Sequence, residues 1–312
     1  MSSIPVSVVI PTKNAGPVFD EVLDGLRAQQ GVALQLVVVD SGSSDDTVAR
    51  ARTFGAVVHE IPPAEFNHGA TRDLGIGLAD AGVVVLMTQD AVPGDALLLQ
   101  RMAQAFDDPA VGGCYVRQVA RPEHDVLIHR NLDWSLTGRR VSEVRQLAHP
   151  GALDGMSPVE RYTMCNFDNV CSALRKSAWE TLHFGRVDFA EDIEWSKKAL
   201  IAGWKIAYVA ESHVVHSHDR PLSYSYRRSY VTHRKLFAEY GMMTIPSPQV
   251  AVKSTLRSVM SDSLYVLRHQ PGLGRKLSLL LQIPLLNATS ILGQYLGARD
   301  ERKGRGRQFA GI

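Results

Sequence analysis

Leu36-Val37-Val38-Val39-Asp40, followed at once by Ser41-Gly42-Ser43-Ser44, decides the fold of this chain. A short apolar run rich in β-branched residues, with no polar alternation, reads as a buried strand of a parallel sheet. The run stops on a carboxylate. Val83-Val84-Val85-Leu86-Met87 does the same, stopping at Thr88-Gln89-Asp90. In open α/β sheets, ligands bind beyond the carboxyl ends of the strands. Two acids delivered to that edge point to a site for a nucleotide and its metal ion. A third acidic pair, Glu191-Asp192, comes much later and supplies a candidate base.

The pattern continues on both sides of these runs. Val6 to Ile10 reads as a strand, and Pro17 to Gln29 as a helix with Val18, Val22 and Leu26 on one face. Ser44-Asp45-Asp46-Thr47 offers an N-cap and acidic residues that complement a helix dipole. Val57 to Ile61 reads as a strand, Gly69 to Ala81 as a helix, and Gly94 to Phe106 as another helix. Strands alternating with helices imply a parallel sheet with right-handed crossovers. After Val111 to Val119 the pattern loosens, and Arg121 to Pro158 is expected to be a long mobile excursion. Regularity returns with a strand at Asn169 to Leu174 and a helix at Ile193 to Ala202. Two further strands are expected, Ile206 to Val209 and His213 to His216. From Pro221 the chain reads as helical, ending in a charged tail, Arg299 to Arg307, expected to be disordered.

Composition sets outer limits. The chain has 312 residues, 45% hydrophobic and 21% charged, as in ordinary globular proteins. A net charge of +2 excludes a polycation that coats nucleic acid. The cysteines Cys114, Cys165 and Cys171 have no zinc spacing and form no disulfide framework, which suits a reducing cytoplasm. The N-terminus lacks the layout of a secretory signal. Leu277 to Gly297 approaches the roughly 20 apolar residues of a spanning helix. Gln282, Pro284, Asn287 and Gln294 interrupt it, so it reads as interfacial or packed against a partner.

Each candidate site residue has a plainer reading beside the functional one. Asp40 can accept a hydrogen bond from a uracil or thymine imide, or it can cap its own turn. Asp90 can hold a hard divalent cation together with phosphate oxygens, or it can simply precede the turn at Pro93. Asn67-His68-Gly69-Ala70-Thr71-Arg72-Asp73 opens a helix and carries an arginine, a phosphate-binding combination. Arg72 can equally pair with Asp73 or Glu65. Glu191 and Asp192 can serve the dipole of the helix they begin, or one of them can take a proton from a sugar hydroxyl. His216 and His218 alternate on an expected strand and can complete a metal shell or serve as structural histidines.

In order, these residues resemble the inverting nucleotide-sugar glycosyltransferases of family 2. The resemblance spans about Val6 to Tyr240. It rests on VVIPTKN at Val8 to Asn14, VVVDSGSSDDT at Val37 to Thr47, EFNHGATRD at Glu65 to Asp73, MTQDAVP at Met87 to Pro93, and AEDIEW at Ala190 to Trp195. The TQDA form, the FNHG segment and the HSH segment at His216 to His218 are similar to the rhamnosyltransferase branch, which uses dTDP-L-rhamnose to build bacterial surface polysaccharide.

The resemblance implies an α/β fold of GT-A type. A Rossmann-like nucleotide-binding sheet (1–120) joins an acceptor-binding, catalytic half (121–240), and C-terminal helices with a basic tail follow (241–312). It implies a nucleotide-sugar donor held by Pro11, Asn14, Asp40, Ser43, Arg72 and Gln89, with Asp40 on the base and Arg72 near the diphosphate. Asp90 takes the place of the last acid in the family's DxD motif and binds Mg²⁺ or Mn²⁺, assisted by His216 or His218. Asp192 is the implied base, with Glu191 beside it on the acceptor side. Thr88 departs from the first acid of DxD, so either a histidine compensates or metal dependence weakens. Asp73 stands where Asn is common.

The acceptor is expected to be a glycan or a lipid-linked sugar. Lys253, Arg257, Arg268, Arg275 and Lys276 precede the apolar stretch, and Arg299, Arg302, Lys303, Arg305 and Arg307 follow it. That pattern fits peripheral attachment to an anionic membrane face from the cytoplasm, or a core or oligomer helix with a solvated tail. Two rival functions remain at this level. One is a sugar nucleotidyltransferase, for which PTKNAG is a poor Gly-rich loop. The other is a non-catalytic scaffold, against which the intact Glu191-Asp192 argues.

Overall fold

The computed structural model describes residues 3–218, 221–307 and 309. The elements are β1 (Ile4–Thr12), α1 (Val18–Arg27), β2 (Val32–Asp40), α2 (Thr47–Phe54), β3 (Val57–Glu60), α3 (His68–Gly77), β4 (Val83–Met87), β5 (Val92–Pro93), α4 (Leu98–Gln104) and β6 (Val111–Val119). They continue with α5 (Val126–Asp133), β7 (Glu143–Arg145), α6 (Pro158–Cys165), β8 (Cys171–Arg175), α7 (Lys176–Trp179), α8 (Glu191–Ile201) and β9 (Lys205–Val215). Three long helices close the chain: α9 (Leu222–Tyr240), α10 (Pro248–His269) and α11 (Leu273–Arg302). The chain forms two compact units. The first gathers the chain up to Ala120, Leu132–Gly155 and Thr163–His216; the second gathers Arg121–Asn131, Met156–Tyr162 and the chain from Ser217.

In the first unit the strands form one mixed sheet in the order β3-β2-β1-β4-β8-β6-β9-β5, with β7 added on β9. β1 pairs in parallel with β2 and β4, and β2 in parallel with β3. β8 runs antiparallel to both β4 and β6, and β9 runs parallel to β6. The carboxyl ends of β1, β2, β4, β6 and β9 therefore share one sheet edge with the amino end of β8. Central runs carry no polar alternation because helices cover both faces. Val8, Ile10 and Val38 pack with Phe19, Val22 and Leu26 of α1. On the other face α3 comes close through Gly75, where a Cβ would lie 2.3 Å from Val9 Cγ1. Pro11 is tolerated because β4 pairs only with Ser7 to Val9, so no β4 partner asks for the missing N–H.

Several expectations are corrected here. The stretch from Arg121 to Pro158 is not a structureless excursion, since it contains α5 and β7. Non-local bonds order it: the Tyr208 hydroxyl places its one proton between the carbonyls of Arg139 (2.6 Å) and Thr137 (3.0 Å). The expected strands at Ile206 to Val209 and His213 to His216 are one strand, β9, whose register against β6 shifts between Val116 and Arg117. Because β9 stops at Val215, His216 and His218 lie beyond a strand rather than on one face of it. The segment Ser44 to Thr47 does open α2, with Asp46 at the N-cap, but the acids precede the first turn: the helix starts at Thr47, whose N–H donates to Asp45 Oδ1. The tail is not disordered through Arg307. α11 runs to Arg302, and the Arg307 N–H donates to the Tyr230 hydroxyl at 3.0 Å.

The second unit has its own small core, Leu127, Val266, Leu279 and Ile283. Beside it Asp262 accepts from Arg130 (2.7 Å) and from Asn287 (2.8 Å). α11 lies tightly on α9: a Cβ at Gly297 would sit 2.2 Å from the Tyr230 carbonyl oxygen. By length and composition α11 is long and apolar enough to cross a membrane. Leu256, Met260, Leu264 and Leu267 of α10 and Leu277, Leu281, Leu285 and Leu292 of α11 are exposed.

Candidate active site

The loops after β1, β2 and β4 are locked together at the shared edge. Asp40 is fully buried. It accepts from Thr12 Oγ1 (2.8 Å), Gly42 N (3.0 Å), Ser43 N (2.8 Å) and Ser43 Oγ (2.6 Å). A carboxylate has about four acceptor sites, and these bonds occupy them. The plainer of its two readings, capping its own turn, is the one these bonds describe. Ser43 Oγ in turn accepts from Asn14 N (2.8 Å), and Asn14 Oδ1 accepts from Ser44 N (2.7 Å). Asn14 adopts φ 44°, a left-handed conformation Asn tolerates better than most residues. Gln89 straps the β4 loop to the β1 loop, accepting from Lys13 N (2.8 Å) and donating to Lys13 O (3.2 Å). Pro11 is half-buried one residue inside the end of β1.

Asp90 follows Gln89 and faces His216, with 3.5 Å between Oδ1 and Nε2. Asp90 and His216 each offer one ligand atom here, and His218, two residues further along the chain, offers another imidazole nitrogen. One carboxylate and two imidazoles make a mixed oxygen–nitrogen donor set. Such a set suits Mn²⁺, which accepts imidazole, better than Mg²⁺, which prefers oxygen throughout. His216 Nδ1 also lies 3.1 Å from Gln118 Oε1, and Gln118 Nε2 donates to Asp168.

Asp168 leads to the acidic pair. Asn169 Nδ2 donates to Glu191 Oε1 at 3.0 Å, and Asn169 N approaches Asp192 Oδ2 at 3.4 Å. Ser172 Oγ fixes the Asn169 amide by donating to its Oδ1 at 2.7 Å. Ala190, in a left-handed conformation at φ 59°, turns the chain into α8 so that Glu191 and Asp192 begin the helix. Few non-glycine residues sit there, and the strain is held by the packing around it.

Arg72 is buried and forms an ion pair with Glu191 at 3.1 Å, while donating to the His68 carbonyl at 3.1 Å. Neither Asp73 nor Glu65 is its partner. A diphosphate contact by Arg72 would compete with an ion pair already made. Asp73 instead accepts from Trp179 Nε1 (2.7 Å), Phe184 N (3.1 Å) and Gly185 N (2.8 Å). Asn67 caps α3 by accepting from Ala70 N, and its Nδ2 donates to Asp188 Oδ1 at 2.6 Å. A Cβ at Gly69 would lie 2.2 Å from the Gly185 carbonyl oxygen. The start of α3 thus clamps the segment that delivers Glu191 and Asp192.

The two carboxyls are driven apart. Burial acts to raise Glu191, but the charges of Arg72 and His68 and the Asn169 bond outweigh it, and its pKa lies below the ordinary value. Burial, then the Glu191 charge, then the Asp168 charge push Asp192 up to about 7. One acid stays ionised while its neighbour titrates near neutrality, which suits Asp192 for exchanging a proton. Sequence reasoning missed Asn169, Asp168 and Gln118. The adjacent Asp168-Asn169 at a strand start was the one local signal available.

A GT-A fold with a nucleotide-type edge and a poised carboxyl defines a class, and comparison with known proteins assigns it. The family model described as glycosyl transferase family 2 matches residues 7–182, and the chain belongs to that family as a hexosyltransferase. It is 33% identical over 220 residues to the O-antigen chain rhamnosyltransferase RfbN of Salmonella typhimurium, covering 69% of this chain and 67% of that protein. It is 31% identical over 234 residues to the O-antigen chain rhamnosyltransferase WbaN of Salmonella anatum, covering 72% and 70%. Among solved structures, the mannosyltransferase PcManGT from Pyrobaculum calidifontis, in complex with GDP-Man and Mn²⁺, has the same fold. Its TM-score is 0.59 at 18% identity, covering 94% of this chain and 88% of that one. Glucosyl-3-phosphoglycerate synthase from Mycobacterium tuberculosis, in complex with UDP, gives a TM-score of 0.52 at 20% identity, covering 78% and 82%.

Proposed function

We propose that this chain transfers L-rhamnose from dTDP-L-rhamnose, with inversion, to a hydroxyl of a glycan or lipid-linked acceptor in bacterial surface polysaccharide synthesis. The similarity to two O-antigen chain rhamnosyltransferases supports the sugar and the pathway class. The observation that carries the chemistry is Asp192, held near neutral pKa beside an ionised Glu191. Asp192 takes the proton from the acceptor hydroxyl. The resulting oxygen attacks the anomeric carbon from the face opposite the diphosphate. The bond from that carbon to the phosphate oxygen breaks, and its electron pair leaves with dTDP. Glu191 keeps its charge through Arg72 and holds the neighbouring base above the ordinary carboxylate range. Asp90, His216 and His218 are the residues that would hold Mn²⁺. Bound there, the cation would neutralise charge on the departing diphosphate. Pro11, Asn14, Ser43 and Gln89 shape the nucleotide end, and Asp40 acts on it through the loop it organises.

The test is Asp192→Asn. The variant is expected to bind dTDP like the wild type while transfer falls about 10²–10⁴-fold, the usual worth of a general base. Normal turnover by the variant would refute the base assignment. A screen of dTDP-, UDP- and GDP-sugars, with and without Mn²⁺, tests the donor.

We also propose that the C-terminal helices dock on an anionic membrane at its cytoplasmic face. The exposed leucines of α10 and α11 recur at helical spacing, with Lys253, Arg257, Arg268 and Arg275 also exposed. From Gly241 to Ala298 the one acid is Asp262, which is engaged by Arg130 and Asn287. A second copy would set like charges together, whereas an anionic lipid surface complements them. The close packing of α11 on α9 favours a peripheral position over a span. Co-sedimentation with phosphatidylglycerol vesicles, and none with phosphatidylcholine vesicles, is the expected result. Sedimentation with neither, or equal sedimentation with both, would refute it.

A further inference from the structure

We infer that Asp168 and Gln118 are positioning residues that fix His216 in the tautomer whose Nε2 ligates the divalent cation. The inference rests on the metal reading above and deepens it. One chain of side chains, Asp168, Gln118 and His216, runs along the sheet edge. An ionised carboxylate only accepts hydrogen bonds. Asp168 therefore draws the NH₂ end of the Gln118 amide, as the Nε2 bond shows. The same carboxylate is aimed by its own Oδ1, which accepts from Val170 N at 2.9 Å. With its NH₂ committed, Gln118 presents Oε1 to His216 Nδ1 at 3.1 Å. A carbonyl oxygen cannot donate, so the proton of that contact belongs to Nδ1. In a neutral imidazole the other nitrogen, Nε2, then carries the lone pair.

Nε2 is the atom that faces Asp90 Oδ1, at 3.5 Å. A carboxylate and an imidazole lone pair face to face repel each other unless a cation lies between them. Hydrogen bonding of the far ring nitrogen is the usual device for orienting a ligating histidine. Gln118 is itself well fixed for the task. It is 7% exposed, sits on β6, and its backbone N–H donates to the Thr137 carbonyl at 2.9 Å. The rival arrangement is an imidazolium that donates to Gln118 through Nδ1 and to Asp90 through Nε2, which would make the pair an ion pair and not a metal site.

Two readouts separate the possibilities. The first is ¹⁵N NMR of histidine-labelled, metal-free protein at about pH 8.5, where an unperturbed imidazole is neutral. His216 is assigned by comparison with His216→Gln. A proton on Nδ1 alone is expected; a proton on Nε2 overturns the inference. The second is Mn²⁺ binding in the presence of dTDP, followed by the EPR signal of free Mn²⁺. Gln118→Leu is expected to weaken Mn²⁺ about 10–100-fold. Asp168→Asn, which lets the Gln118 amide turn over, is expected to move the proton to Nε2 and weaken Mn²⁺ similarly. If His216→Gln binds Mn²⁺ like the wild type, the metal reading and this inference fall together. If His216→Gln loses Mn²⁺ while both other variants keep wild-type affinity, the positioning inference alone falls.

Discussion

Asp192→Asn should make the protein more stable as well as inactive, with a gain that grows as pH rises from about 4 to about 7 and then levels off. In the folded chain Asp192 is half-buried, beside Glu191, and its pKa stands at about 7 against an ordinary 3.8. A carboxyl raised in this way holds its proton more tightly folded than unfolded. Stability is then greatest at low pH and is lost as pH rises from the unfolded value through the folded one. At 1.36 kcal/mol per pH unit, the interval from 3.8 to about 7 amounts to roughly 4 kcal/mol of strain once Asp192 is fully ionised. Asparagine escapes that cost, but its NH₂ meets a donor, either Ile193 N or Asn169 N, and forfeits about 1 kcal/mol. The net expectation is a gain of about 3 kcal/mol near pH 8 that becomes a slight loss near pH 4. Urea unfolding of both proteins at several pH values measures it. The same ionisation gives the wild-type enzyme an acidic limb, with kcat/KM falling about tenfold per pH unit below the midpoint near 7. A stability difference that does not change with pH, or a rate that is flat from pH 8 to well below the midpoint, would refute the argument that Asp192 is a strained, titrating base.

Three further perturbations probe its surroundings. Glu191→Gln removes a like charge beside Asp192, so the acidic limb of kcat/KM should move to lower pH; an unmoved limb would show that burial alone sets the value. Arg72→Met breaks an ion pair of 3.1 Å between buried side chains. It should cost about 3–5 kcal/mol in urea unfolding, because it leaves a buried carboxylate uncompensated. Adding Glu191→Gln should recover much of the loss, and strict additivity of the two would contradict the pairing. Gly69→Ala would place a Cβ 2.2 Å from the Gly185 carbonyl oxygen. The segment leading to Glu191 must then shift, so kcat should drop while the affinity for dTDP stays near wild type; an unchanged kcat would show that the clamp does not govern the base.

What could be read from the chain, and what could not, follows the range of the forces involved. The parallel strands were legible because a strand buried on both faces must be apolar throughout, and the acids at Asp40 and Asp90 were legible because those runs end on them. The antiparallel insertion of β8 between β4 and β6 left no such mark, since an apolar strand reads alike in either direction. The order within Arg121 to Pro158 comes from partners far along the chain, such as Arg145, which donates to the carbonyls of Thr163, Met164 and Asn166. Local composition carries no trace of those bonds. The site divides in the same way. Glu191 and Asp192 could be named from the helix start they form, yet what sets their protonation is Arg72 from α3 and Asn169 from the approach to β8. Ala190 shows the limit most plainly. Its left-handed turn aims the base, and nothing about an alanine announces such a turn. A residue type can nominate a base; only the neighbours that bury it, charge it and turn it decide whether it takes a proton near pH 7.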